Sequence, residues 1–139
     1  MNQHLFFHSD DIAKLLLRLI TGWVMLPYGI DYIKDGLDFV FGVLKDNRLP
    51  SFLAYGVLVG EVVGPILVLI GWKSRIGGAL IAFTMLLSIL LAHRDIIFEY
   101  NEFGGWSIAF NAIMVMNAMA IFFAGAGKYS VSKGKGMWD

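Results

Sequence analysis

Four apolar segments of near-membrane length dominate this sequence, at 12–33, 52–70, 76–93 and 106–123. Each approaches the ~20 residues with which an α-helix crosses the hydrocarbon core of a bilayer. Of the 139 residues, 58 % are hydrophobic and 16 % charged, leaving more apolar surface than a soluble domain of this size can bury. The expected fold class is therefore all-α: an integral-membrane four-helix bundle, antiparallel and up-down, forming one domain over residues 1–139. Eleven basic and eleven acidic residues leave no net charge. Without a basic face the chain has no electrostatic footprint for nucleic acid. The absence of cysteine excludes disulfides, thiolate-bound metals and a dithiol redox pair, so a redox role depends on something bound. The first apolar run follows His8-Ser9-Asp10-Asp11, not a basic stretch, and is expected to be retained as a helix and not cleaved as a signal.

Ser9 with Asp10 and Asp11 fits an N-cap and acidic first turn for the opening helix. Only Gly71-Trp72-Lys73-Ser74-Arg75 separates the second and third segments, which must then be antiparallel neighbours. Lys14, Lys73, Arg75, Lys128, Lys133 and Lys135 fall at one end of such a bundle, and Lys34, Lys45, Arg48 and Arg94 at the other. The positive-inside rule places the first group, with both termini, in the cytoplasm, as expected for a multi-pass protein of a bacterial inner membrane. The first loop, 31–51, is long and partly apolar around Leu37-Asp38-Phe39-Val40-Phe41, which suits a short interfacial helix lying as a lid over the outer mouth. Residues 128–139, rich in Lys, Gly and Ser, read as a mobile tail.

Charges inside lipid are costly and mark functional positions. Arg18 lies about one and a half turns into the first helix and Glu61 near the middle of the second. Depth counting puts them within reach of an ion pair, with Thr84 and Asn117 at a similar level. The competing reading is that these groups satisfy one another and only fix helix packing. Gly56, Gly60 and Gly64 form a small-residue stripe suited to close helix approach, and Pro65 removes the donor for the Glu61 carbonyl. A second cluster belongs at the outer end, where Tyr28, His93 and Trp106 terminate or open helices. Tyr and Trp there suit ordinary interfacial anchors. They equally suit a quinone-like or lipid-like site, with a ring stacked on Trp106 or Tyr28 and His93 exchanging a proton. His4 and His8 fall at the opposite end from His93, so a bis-histidine haem is not expected, nor is a metal.

Taken in order, Leu17-Arg18-Leu19, Gly22, Pro27-Tyr28-Gly29, Glu61-Val62-Val63-Gly64-Pro65, Gly71-Trp72-Lys73-Ser74-Arg75, His93, Gly104-Gly105-Trp106 and Gly125-Ala126-Gly127-Lys128-Tyr129-Ser130 resemble the DoxX family of small four-helix membrane proteins. The likeness runs from about Lys14 to Ser130. Many relatives carry histidine where Tyr28 stands, and this chain departs from them there. The resemblance implies a link to membrane oxidoreductase complexes, one relative forming part of a thiosulfate:quinone oxidoreductase.

The leading expectation is a membrane component of an oxidoreductase system that binds a quinone or similar lipophilic molecule. Its candidate catalytic residues are His93 and Glu61, and its candidate ligand-binding residues Arg18, Tyr28, Trp106 and Asn117. Its partners would be membrane lipids, an oxidoreductase subunit and a second copy of the chain. The alternative is a non-catalytic adaptor or lipid-binding module whose buried charges only fix packing. Transport is a weaker reading, because no inverted repeat is visible.

Overall fold

A computed structural model describes residues 10–139. The cap expected at Ser9 and the positions of His4 and His8 lie outside the described residues. The described residues form α1 (Asp10–Asp35), α2 (Asp38–Asp46), α3 (Leu53–Ile70), α4 (Ser74–Ala92) and α5 (Ala109–Ala124), with a 3-10 turn at Arg94–Ile96. Among the described residues three helices, α1, α3 and α4, are long and apolar enough to cross a membrane, and α5 is a shorter apolar helix of 16 residues. Asp10 and Asp11 stand in the first turn of α1, where carboxylates complement the helix dipole. The tight α3–α4 turn is made possible by Gly71 at φ 72°, whose N–H, together with that of Trp72, returns to the Leu67 carbonyl.

Small residues set the register and show that the helices alternate in direction. A Cβ on Gly22 would meet Leu69 and the Pro65 carbonyl, and one on Gly29 would collide with the Glu61 carbonyl, so α1 and α3 run oppositely. Gly60 abuts Thr84 and Gly64 abuts Gly77 and Ile81 on α4, while Gly78 of α4 abuts Ala118 of α5. Both α1 and α4 pack on α3 and on α5, and therefore stand diagonally in an up-down bundle. The expected stripe shortens to Gly60 and Gly64, since Gly56 is exposed with open space beside it. Only 33 % of the span residues of α3 and α4 are buried within the protein, which leaves outward rows such as Trp23, Phe83 and Met116 for lipid.

The bundle thus has two ends. The base carries the start of α1, the α3–α4 turn and the segment after α5; the far end carries α2 and the α4–α5 connection. Lying across the far end, α2 buries Val40 and Leu44 in a small core with Leu37 and Ala54. A short helix thus forms where the sequence leads one to expect it.

Two boundaries differ from the sequence expectation. The last helix begins at Ala109 rather than 106, because Gly104 at φ 79° turns the chain into a tight hairpin in which Tyr100 pairs with Trp106 and Ser107 N–H donates to the Glu99 carbonyl. The segment read as a mobile tail is instead hydrogen-bonded across the base. Val131 and Ser132 N–H groups reach the Ile70 and Gly71 carbonyls, and the Asp139 carboxylate accepts from Lys73 N–H at 2.7 Å. Its polar, glycine-rich composition signals solvent exposure but does not reveal that the carbonyls ending α3 need donors.

Candidate functional site: an apolar cavity floored by Glu61

Arg18 and Glu61 do not form the expected ion pair. The Arg18 side chain is 1 % exposed and donates from Nε to the Val68 carbonyl (2.8 Å), from Nη1 to those of Ala126 (2.9 Å) and Tyr129 (2.8 Å), and from Nη2 to that of Leu69 (3.0 Å). These acceptors are the last carbonyls of α3 and the turn after α5, which lack helical donors and carry the negative end of the dipole. Helical side chains lean toward their own N-terminus, so Arg18 reaches to the base, while the Glu61 level of α3 faces Gly29, three turns further along α1. The guanidinium is a clamp on helix ends, and four of its five N–H groups are engaged.

Glu61 occupies a different environment. It is 5 % exposed, and its Oε2 is buried with no hydrogen-bond partner among the described residues. It lies at the wall of a cavity of about 70 Å³ between α2, α3, α4 and the end of α1. Val40, Leu44, Leu53 and Val57 give the cavity an apolar body, and Tyr32, Thr84 and Ser88 supply its other polar groups. A buried carboxyl oxygen without a partner is the costly exception in folded proteins. Thr84 is already committed, since its hydroxyl donates to the Leu80 carbonyl at 2.9 Å. Pro65 leaves the Glu61 carbonyl without its helical donor, and Gly29 lets α1 close over that oxygen.

Ser88 connects this cavity to the far end. Its hydroxyl accepts from Asn111 Nδ2 at 3.2 Å and lies 3.4 Å from His93 Nδ1, which is also 3.0 Å from the Ser88 carbonyl. Partly exposed at the end of α4, His93 is thereby one hydroxyl away from the cavity. The other outer-cluster residues are not cavity lining. Tyr28 packs on Phe110 at the first turn of α5, with ring centroids 5.4 Å apart. The indole N–H of Trp106 donates to the Ile97 carbonyl inside the 99–107 hairpin.

Asn117 does not join the polar layer, whereas Asn111, which the sequence reading passed over, does. The signal for it was present: Asn111 precedes the buried Met114, Val115 and Ala118 by three, four and seven residues and so shares the inward stripe of α5, from which Asn117 is rotated away. Ser88, four residues after Thr84 on α4, follows by the same spacing. A lid helix was legible but the cavity beneath it was not, because the cavity depends on how α2 folds back.

One relative, "Putative oxidoreductase CatD" of Bacillus subtilis (strain 168), is 35 % identical over 82 residues, which is 59 % of this chain and 60 % of that protein. The match therefore spans less than two thirds of the relative's length. No solved structure matches the chain. The DoxX family signature matches residues 13–94, a stretch containing Arg18, Glu61, Ser88 and His93. Matching over more than half its length, and folded as a multi-pass helical bundle, this chain belongs to the DoxX family.

Proposed function

We propose that this protein is a membrane component of an oxidoreductase system in a bacterial cytoplasmic membrane and that its cavity receives the head of a quinone or a similar lipophilic ring. The observation that carries the reading is the Glu61 carboxyl, buried without a partner at Oε2 beside an apolar cavity. A quinone presents an apolar ring with two carbonyl acceptors, and its quinol two hydroxyl donors; one carboxyl can complement either form. Full reduction of the ring takes two electrons and two protons. In this reading the electrons come from a partner subunit bearing a redox centre, and this chain positions the ring and handles protons. Ser88 and His93 supply a route: a proton taken up by the imidazole at the far end passes through the Ser88 hydroxyl to the cavity. The relative named as an oxidoreductase supports the same class of system.

The test is retention. Protein extracted in mild detergent should carry quinone or bind it on addition, and Glu61→Gln and Ser88→Ala should each weaken binding by about tenfold, as expected for one lost hydrogen bond to a ligand. Failure of the unaltered protein to retain or bind any quinone would sink this reading. A second reading, a non-catalytic adaptor, is favoured by Arg18, whose contacts are wholly structural. It is preferred if Glu61→Gln lowers thermal stability while the content of bound lipophilic molecules stays unchanged.

A further inference from the structure

The base of the bundle holds a second pocket, separate from the Glu61 cavity and of opposite character. It measures about 350 Å³, and its walls include Lys14 of α1, Arg75 of α4, and Lys128 and Lys133 of the segment after α5. Four cations from three separate parts of the chain thus converge on one space. Two carboxylates, Asp11 and Asp139, also line the pocket, and both accept from backbone N–H groups. Asp11 Oδ1 accepts from Lys128 N–H at 2.9 Å, and the Asp139 oxygens accept from the N–H groups of Lys73 (2.7 Å) and Gly136 (2.8 Å). Arg75 bonds the Phe122, Phe123 and Asp139 carbonyls through Nη1 and Nε. Among the described residues, no ion pair neutralises Lys14, Lys128 or Lys133.

Four cations against the two carboxylates of Asp11 and Asp139 leave the pocket a net positive charge, and its concave wall focuses that field. The depth of the site adds a second indication. Trp72, Tyr129 and Trp138 are all about half exposed around the base, where aromatic belts mark the headgroup level of a bilayer. Basic pockets at the ends of membrane helices are suited to acidic lipid headgroups.

We propose that this pocket binds a phosphate group with exposed oxygens, held by Lys14, Lys128 and Lys133 with Arg75 anchoring the wall. Such a group can come from an acidic phospholipid or from free phosphate, and the experiment separates the two. Full-length protein is placed in nanodiscs of phosphatidylcholine with a minor fraction of phosphatidylglycerol, and bound lipid is read by native mass spectrometry. Thermal unfolding is followed in parallel as inorganic phosphate is added in detergent at constant ionic strength. The expected result is preferential retention of phosphatidylglycerol, weakened roughly a hundredfold in the triple variant Lys14→Gln/Lys128→Gln/Lys133→Gln. The far-end variant Lys34→Gln/Lys45→Gln should retain it as the unaltered protein does. Stabilisation by inorganic phosphate without lipid preference, lost in the triple variant, identifies free phosphate as the source. The proposal is overturned if the unaltered protein shows neither lipid preference nor phosphate stabilisation, a result that does not depend on how the variant folds. Equal effects in the unaltered protein and a folded triple variant overturn it as well.

Discussion

The Arg18 guanidinium donates to four carbonyls in two distant segments, whereas Oε2 of Glu61 meets no donor. Substitution should separate the two residues. Arg18→Met leaves several carbonyls at the ends of α3 and α5 without donors, and should lower unfolding stability by about 3 kcal/mol or more, measured by thermal or denaturant unfolding in detergent. Glu61→Gln keeps size and shape and removes no native hydrogen bond to Oε2, so stability should change by about 1 kcal/mol or less in the same assay. Gly29 offers a third contrast. Any side chain there runs into the Glu61 carbonyl, so Gly29→Val should separate α1 from α3 and cost on the order of 3 kcal/mol, with a matching loss of folded yield. At this scale the sequence revealed which residues were anomalous but not what they meet. Depth counting treats each helix as a ruler, and it misjudged Arg18 because a long side chain extends along the helix as well as outward.

Among the elements, α2 is the one whose presence was legible and whose consequence was not. Its apolar positions announced an interfacial helix, but the cavity exists only because Val40 and Leu44 fold down over α3 and α4. One side chain fastens its end: Asn47 Nδ2 donates to the Val43 carbonyl (2.8 Å) and the Leu91 carbonyl of α4 (3.3 Å). Asn47→Ala should loosen this roof without unfolding the bundle, seen as faster amide exchange confined to α2 while α3 and α4 remain protected. Unchanged exchange in α2 would show that its apolar face alone holds it. The α4–α5 connection teaches a related lesson. Gly104-Gly105-Trp106 looks like a helix start by hydropathy, yet glycine chemistry there serves a hairpin, and α5 begins only where the inward stripe of Asn111, Met114 and Ala118 requires it.

For the whole molecule, helix number, antiparallel order and membrane class could be read from segment length and the short α3–α4 turn, because bilayer thickness leaves few alternatives. Charge is distributed unevenly between the ends: at the base Lys14, Lys73, Arg75, Lys128, Lys133 and Lys135 outnumber Asp10, Asp11 and Asp139, and at the far end Asp31, Asp35, Asp38, Asp46, Asp95, Glu99 and Glu102 outnumber Lys34, Lys45, Arg48 and Arg94. If the base faces the cytoplasm, a cysteine at Lys73 should react with an impermeant thiol reagent only after cells are opened, and one at Glu102 in intact cells; the reverse pattern would invert the assignment. The absence of native cysteine makes the labelling unambiguous. The clamp at Arg18 also has a consequence for biogenesis. Two of its acceptors, Ala126 and Tyr129, stand 108 and 111 residues further along the chain. Ribosomes deliver the first helix long before those carbonyls emerge, so a nascent chain bearing only α1, or α1 with α3, holds a guanidinium whose ligand set is incomplete. The clamp closes only once the final helix and the turn after it are in place.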